Sequence, residues 1–364
     1  MTQPGEAAYW LALAYSTDLK LTRLKDILAD WYVERQQPLP ALLDLSPAEL
    51  DDELGLSEDE GAALLNARKD VPQQEAWLGS LAGRGVTVLT RGDTRYPLAL
   101  VRALPFAAQP LVLFCRGNLE RLGSLSVAIA GAQDASDQAI DSAQELAAWL
   151  AEEGVGVVSG LGKGVGRAAF RGALTAESGG AVAVLPMGIH ALEIDDELAA
   201  ALEHGRALLL SPFHPNARFD PAQALARNRL IVALSDALVV MQAGETGAER
   251  EMADEALRMG KGVYAWEVDS TEETGDARPT GHPSLVGAGA LPVSTASDIL
   301  DMVEALKEMS LERMEAEMLP AAPTLAAAPE PPAELSPQAT LELLSRSGRV
   351  PEALLRRLKA GGDA

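Results

Sequence analysis

The chain has 364 residues, enough for two or three folding units, and a formal net charge of −23. This acidity argues against indiscriminate binding of polyanions and restricts any anion site to a local cluster of cations. The single cysteine, Cys115, excludes an internal disulfide and suits a reducing cytoplasm. The chain shows no apolar run of roughly 20 residues and no secretory leader, so we expect a cytoplasmic protein with no membrane partner.

The N-terminal segment, residues 1–75, is predicted to form a small all-helical domain. Leucines recur there at helical spacing, and the segment holds 15 acidic and 6 basic side chains. Two stretches, 46–49 and 57–60, start with serine and end with glutamate, which is the pattern of a capping box. An interaction module and a structural cap on the next domain are both compatible with this pattern.

Residues 76–305 alternate short, continuously apolar runs with helical patterns. Continuous apolar runs are typical of strands buried on both faces of a parallel sheet. This predicts an α/β fold with a doubly wound, mostly parallel sheet. The eight predicted strands are Val86 to Leu89, Leu111 to Cys115, Val127 to Ala130, Val155 to Val158, Val182 to Leu185, Ala207 to Leu210, Ala237 to Met241 and Gly262 to Trp266.

The C-terminal part has a different composition. Residues 306–337 are expected to contain the end of a helix and then a linker that is rich in alanine and holds six prolines. Residues 338–364 could form two short helices, which are too little for an independent core.

Metal and catalytic patterns are not evident in the sequence. The four histidines show no pairing at helical spacing, and one cysteine cannot build a thiolate site. No nucleophile elbow, Walker A motif or strict dinucleotide fingerprint occurs. We therefore predict no catalytic residue, no metal and no cofactor.

Small residues directly follow several predicted strands. Gly131, Ser159, Gly160 and Gly188 stand at such positions, where backbone N–H groups could approach a phosphate. Glycine at a turn also serves conformation alone, and that alternative stays open for each position.

Cations accompany some of these turns. Lys163 lies in the glycine-rich turn, and Arg167 follows it, whereas Arg171 is expected to lie on an exposed helix face or to pair with a carboxylate. Downstream, Arg227-Asn228-Arg229 precedes an apolar stretch, and we place this cluster at a strand–helix junction. Arginine can fork onto phosphate oxygens and asparagine can bond a base, but structural ion pairs are equally possible.

In their combined order, these segments resemble the bacterial DNA-processing protein A family, also called DprA or Smf, over about residues 5–300. The resemblance rests on the Tyr-Pro at 96–97, "L-F-x-x-G-N" at 113–118, the glycine turn at 159–164, and "R-N-R-L-I-V-A-L-S" at 227–235. It implies a helical module of the sterile-alpha-motif or helix-hairpin-helix type, then an extended Rossmann-like domain that binds single-stranded DNA, often followed by a winged helix.

The same resemblance implies a function and a site. Members of the family are not enzymes; they dimerise, protect single strands during natural transformation and help to load the RecA recombinase. Lys163, Arg227, Asn228 and Arg229 match the family's DNA-facing positions. The chain departs from the pattern at Gln133, where the family has arginine, and at residues 166 and 170, where the family has aspartate and histidine. The C-terminal segment is short for a full winged helix.

Two other functions remain compatible with the sequence. The same loops could bind a small nucleotide in a sensor or a nucleotide-processing enzyme, since residues 244–249 faintly resemble the phosphoribosyl-hydrolase pattern. Alternatively, the chain could be a protein-interaction scaffold whose DNA site has decayed, which would agree with its acidity.

Overall fold

The computed structural model describes residues 5–177, 179–267 and 282–318. Its N-terminal part is helical, as predicted, and both capping boxes are formed: the hydroxyls of Ser46 and Ser57 accept from the backbone N–H of Glu49 and Glu60, whose carboxylates accept in return. A single π-helical turn, Ala29–Glu34, follows the second helix. The helices are α1 (Glu6–Ser16), α2 (Leu21–Leu28), α3 (Leu39–Asp44), α4 (Pro47–Leu54) and α5 (Glu58–Ala82).

A nine-stranded sheet follows, in the order β1-β2-β6-β5-β4-β3-β7-β8-β9. The seven strands from β6 to β9 in this order are mutually parallel, whereas β2 pairs antiparallel with both β1 and β6. The strands are β1 (Thr87–Thr90), β2 (Val112–Gly117), β3 (Ser126–Ala130), β4 (Gly156–Ser159), β5 (Ala181–Val184), β6 (Ala207–Ser211), β7 (Ala237–Val240), β8 (Gly262–Trp266) and β9 (Leu291–Val293).

The predicted α/β class and the doubly wound, mostly parallel sheet are therefore confirmed, although the ninth strand was not predicted. The connecting helices are α6 (Leu98–Ala103), α7 (Asp137–Glu152), α8 (Val165–Ala173), α9 (Asp196–Glu203), α10 (Pro221–Leu234), α11 (Ala248–Arg258), α12 (His282–Gly287) and α13 (Ala296–Met318). No helix within the described ranges is long and apolar enough to cross a bilayer.

Alternate residues of each strand face two separate layers of the core, as the period of a strand requires. In β3, Val127 and Ile129 pack in a cluster with residues of α7, α8 and the N-terminal helices. Ala128 and Ala130 pack in a second cluster with residues of α6, α10 and α11. Helices thus cover both faces of the sheet, and its strand ends form the accessible edges.

The predicted domain boundaries remain predictions. Helix α5 runs through residue 75, and the chain divides into units of residues 1–313 and 314–364. The proline-rich linker beyond residue 318 and the helical tail at 338–364 lie outside the described residues.

Candidate functional site

The strand order reverses at β3, which lies between β4 and β7. Ligands of doubly wound sheets bind near such a reversal, outside the carboxyl ends of the strands. Here the loops after β3 and β7 are joined. Ala132 N–H donates to the Gln242 carbonyl at 3.0 Å, and the Gln242 side chain accepts from Ser136 N–H at 2.9 Å. Because this bridge occupies the β3–β7 side, we place the candidate site on the β3–β4 side.

The turn between β4 and α8 carries two exposed cations. Leu161 adopts φ 53° and Gly164, which precedes α8, adopts φ 77°. Gly164 also lies against the β3 loop, since a Cβ on it would be 2.6 Å from the carbonyl oxygen of Gln133. The turn is thereby held in one shape, and Lys163 at its tip and Arg167 on α8 are both exposed to solvent.

Arg227 reaches this turn from α10. Its side chain is only 8% exposed and packs directly on Gly160: a Cβ on residue 160 would lie 2.7 Å from Cζ of Arg227 and closer still to Nη1. Two residues that the sequence analysis singled out, 67 positions apart in number, therefore meet. Gly160 is required here because the arginine head needs the space.

The Arg227 guanidinium lacks a counter-charge in the described part of the chain. Its Nε is buried without a hydrogen-bond partner, and no carboxylate there forms an ion pair with it. Burial lowers the pKa of Arg227 to about 10, so the group still carries its charge at neutral pH. A buried cation without a partner is costly, and an anionic ligand would offset that cost.

The structure separates Arg229 from Arg227. The predicted strand–helix junction at 227–229 is wrong, since these residues lie inside α10, where positions two apart face different directions. Arg229 forms an ion pair with Glu255 of α11 at 2.6 Å, and Arg258 pairs with the same carboxylate. Asn228 between the two arginines is half-buried. The expected pairing of Arg171 is confirmed, with Glu197 at 2.8 Å.

The backbone positions predicted to face phosphate have different surroundings. Ser159 is fully buried, and its hydroxyl accepts from the N–H of the residue two positions on at 3.4 Å. Gly131 packs on Val165, where a Cβ would lie 2.7 Å from Cγ2. Gly188 N–H donates to the Ala217 carbonyl at 2.8 Å, which leaves it no donor for a phosphate. Of the predicted glycines, Gly160 is the one in contact with a candidate cation.

The loop that leads into α10 is fixed from two sides. Besides the hydrogen bond from Gly188, the ring of His214 stacks on Trp77 of α5, with centroids 5.2 Å apart and an interplanar angle of 18°. Asp220 caps α10 by accepting from Ala222 N–H at 2.7 Å. These contacts set the position of α10 and therefore that of Arg227.

The sequence analysis missed one polar residue of the site. Gln223 lies one helical turn before Arg227, and its amide oxygen is buried with no partner among the described residues. The one feature of the sequence that could have indicated Gln223 is its position four residues before Arg227, because residues at that spacing are neighbours on a helix. The sequence analysis did not predict a helix at these residues.

Lys163, Arg167, Gln223 and Arg227 all belong to loops or helix starts at the carboxyl edge, and Arg167 lines a pocket there with Glu193, Asp195 and Glu197. In residues 5–177, 179–267 and 282–318, no group of three or more histidine, cysteine or acidic side chains could hold a metal ion. Guanidinium and ammonium groups are suited to binding a phosphate-containing ligand.

Known proteins are similar to this chain in sequence and in fold. Residues 87–304 match the family model of the DNA recombination-mediator protein A. A DNA processing protein DprA of Mycobacterium tuberculosis is 31% identical over 286 residues, covering 73% of this chain and 70% of the relative. The structure of DprA from Streptococcus pneumoniae aligns with a TM-score of 0.60 at 23% identity, over 81% of this chain and 97% of that one.

A second solved structure is DNA processing protein A of Helicobacter pylori, described for its mode of binding single-stranded DNA. It aligns with a TM-score of 0.51 at 24% identity, over 62% of this chain and 96% of that one.

The two arginines of α10 should respond oppositely to replacement by methionine. Arg227→Met removes a buried charge without a partner, so the free energy of unfolding should stay unchanged or rise by about 1–4 kcal/mol. Arg229→Met removes an ion-pair partner of the buried Glu255, and stability should fall by about 1–2 kcal/mol. Urea unfolding of the unliganded proteins measures both, and equal destabilisation by the two changes would show that Arg227 is a structural residue.

Proposed function

Because the chain belongs to the DNA recombination-mediator protein A family, we propose that it binds and protects single-stranded DNA and helps to load the RecA recombinase onto it. The observation that supports this most directly is the buried Arg227 without a counter-charge, which packs on Gly160 of the turn that also carries the exposed Lys163. A DNA backbone would supply the missing anion.

The charge of the protein limits where DNA can bind. With a net charge of −23, most of the surface repels a polyanion, and several arginines are already paired with carboxylates. Lys163, Arg167 and Arg227 carry positive charge at one edge of the sheet. We propose that the phosphates pass along this edge, and that affinity depends strongly on salt.

We further propose that the protein is a cytoplasmic binding protein and not an enzyme. The site offers amide, guanidinium and ammonium donors, which suit the binding of phosphate groups. If the protein captured RecA without binding DNA, that result would instead favour a protein-interaction scaffold. If only mononucleotides stabilised it against unfolding, that result would favour a nucleotide-binding sensor.

The first test is a substitution at Gly160 that removes the space occupied by the Arg227 guanidinium. Gly160→Ala would push the guanidinium out of its position, so affinity for oligo-dT should fall about 10-fold or more, as expected for losing a hydrogen bond to a charged group. Gly162→Ala is the matched control in the same turn, because a Cβ there meets nothing within 4 Å. Fluorescence anisotropy at low salt measures both, and equal affinities of the two variants would contradict the site.

Salt dependence provides a second test. Lys163→Gln should reduce the slope of log Kobs against log salt by about 0.7, the value for one lost phosphate contact on a single strand. Arg171→Gln should leave the slope unchanged, because Arg171 is paired with Glu197. Titrations between about 50 and 200 mM salt give the slopes; no binding of the unaltered protein at low salt would overturn the proposed function.

The proposed homodimer has a candidate surface at the end of the sheet. In the described sheet, β9 pairs only with β8, and Leu291 on it is 47% exposed, near Val286 and Leu300 in sequence, which are also exposed. Exposed apolar side chains at the edge of a sheet form a candidate surface for association. We propose that a second copy covers it.

Leu291→Arg should therefore convert dimers into monomers, because it places a charge in the interface. Leu21→Arg, at a leucine of similar exposure on α2, is the control and should leave the dimer intact. Sedimentation equilibrium distinguishes the two states, and a dimer unaffected by Leu291→Arg would place the interface elsewhere.

A further inference from the structure

The turn between β4 and α8 carries backbone N–H groups that have no acceptor in the described part of the chain. Gly164, which precedes α8, has no side chain that could accept from the first turn of this helix, and those N–H groups have no partner within the helix. Gly160 N–H, at the start of the turn, also lacks an acceptor among the described residues. Residues 160–164 and 166 are half-buried or exposed, so solvent reaches the turn. Such a helix end favours an anion.

Gly166, in the first turn of α8, leaves space beside these donors. It is one of the positions at which the chain departs from the family pattern. Apart from its own helix and its chain neighbours, a Cβ on residue 166 would have the backbone nitrogens of Leu161 and Gly160 as its nearest described atoms, at 3.7 and 4.0 Å. Leu161 N–H forms one long hydrogen bond, 3.4 Å, to the Ser159 hydroxyl. Backbone nitrogens therefore border the position where residue 166 has no side chain.

Arg227 reaches the same turn from outside α8 and is the second, independent sign of an anion. Its side chain is 8% exposed, its guanidinium packs on Gly160, and it forms no hydrogen bond with a described residue. Lys163 adds an exposed ammonium group at the tip of the turn. Gly160 thus adjoins both the Arg227 guanidinium and the space beside Gly166, so the cations and the backbone donors surround one position.

Carboxylates flank this turn on both sides along the sheet edge. Glu193 and Asp195 line a pocket with Arg167 on the β5 side, and Asp134 is exposed in the β3 loop that contacts the turn. A strand that crossed the turn would bring phosphates toward carboxylates on both sides, whereas a strand that ends there avoids one side. The terminal phosphate monoester also carries about −1.5 to −2 charges at pH 7 and three free oxygens, more than an interior phosphodiester.

We propose that the turn between β4 and α8 binds the terminal phosphate of a DNA strand, with the phosphate oxygens in the space beside Gly166. The N–H groups of Gly160 and of the first turn of α8 donate to these oxygens, and Arg227 and Lys163 neutralise their charge. This inference rests on the proposed DNA binding and adds recognition of a strand end to a site that would otherwise bind interior phosphates alone.

The test compares three forms of one short oligo-dT, each with an internal fluorophore: a 5′-phosphate strand, a 3′-phosphate strand and a strand with two hydroxyl ends. The unaltered protein should bind a phosphorylated strand about 10-fold or more tightly than the hydroxyl strand, the effect of hydrogen bonds to a charged group. A gain for one phosphorylated form shows which end the turn takes, and a gain for both shows that it takes either end.

Gly166→Asp should abolish this gain, because it places a carboxylate in the proposed phosphate position. An acidic residue in the first turn of a helix is favourable, so the variant should unfold at the same temperature as the unaltered protein or higher. Gln138→Glu is the matched control. It adds the same charge at the exposed second residue of α7, as residue 166 is the second of α8, and it should retain the gain.

The outcomes separate this inference from the proposed function. If the three strands bind equally well to the unaltered protein, with binding still sensitive to salt, recognition of the end is wrong and DNA binding stands. If the gain persists in Gly166→Asp, or if Gln138→Glu loses it equally, the terminal phosphate does not bind in the turn. If no strand binds at low salt, both proposals fail.

Discussion

The candidate site depends on how one buried cation is accommodated. Arg227 extends from α10 to Gly160, which leaves space for its guanidinium, and no described carboxylate neutralises it. The helix that carries it is held at both ends, by Asp220 at its start and by Lys261, which donates to the carbonyls of Val232 and Ala233 at its end. A charge fixed in this way costs stability in the free protein and favours an anion in the complex.

This arrangement explains how an acidic protein can belong to a family of DNA-recombination mediators. Carboxylates neutralise cations elsewhere, as Glu255 does for Arg229 and Glu197 for Arg171. Arg227 has no such carboxylate partner among the described residues. Repulsion by the remaining surface would leave this edge as the place where a DNA strand can approach, and the cation–phosphate contacts there should weaken at high ionic strength.

Much of the fold could be predicted from sequence, because buried parallel strands are continuously apolar and capping boxes are local patterns. β9 was missed because three residues that include Pro292 give too short a pattern. The apolar run at 230–234 does not distinguish a buried helix from a buried strand, so Arg227 was placed at a junction. The different roles of Arg227 and Arg229 could not be predicted, because they depend on Gly160 and Glu255, which are distant in sequence. The hydrogen bond from Gly188 N–H could not be predicted either, because its acceptor, the Ala217 carbonyl, lies in the loop after β6.

The most direct test of this account is the NMR signal of the Arg227 Nε–H group, assigned by its loss in Arg227→Lys, during titration with a short oligo-dT. In the free protein this N–H is buried without an acceptor. On binding, we expect it to gain a phosphate acceptor, and its proton resonance should shift downfield in proportion to occupancy. A resonance that stays unchanged while DNA binds at saturation would show that the DNA contacts another part of the protein and would contradict the central claim.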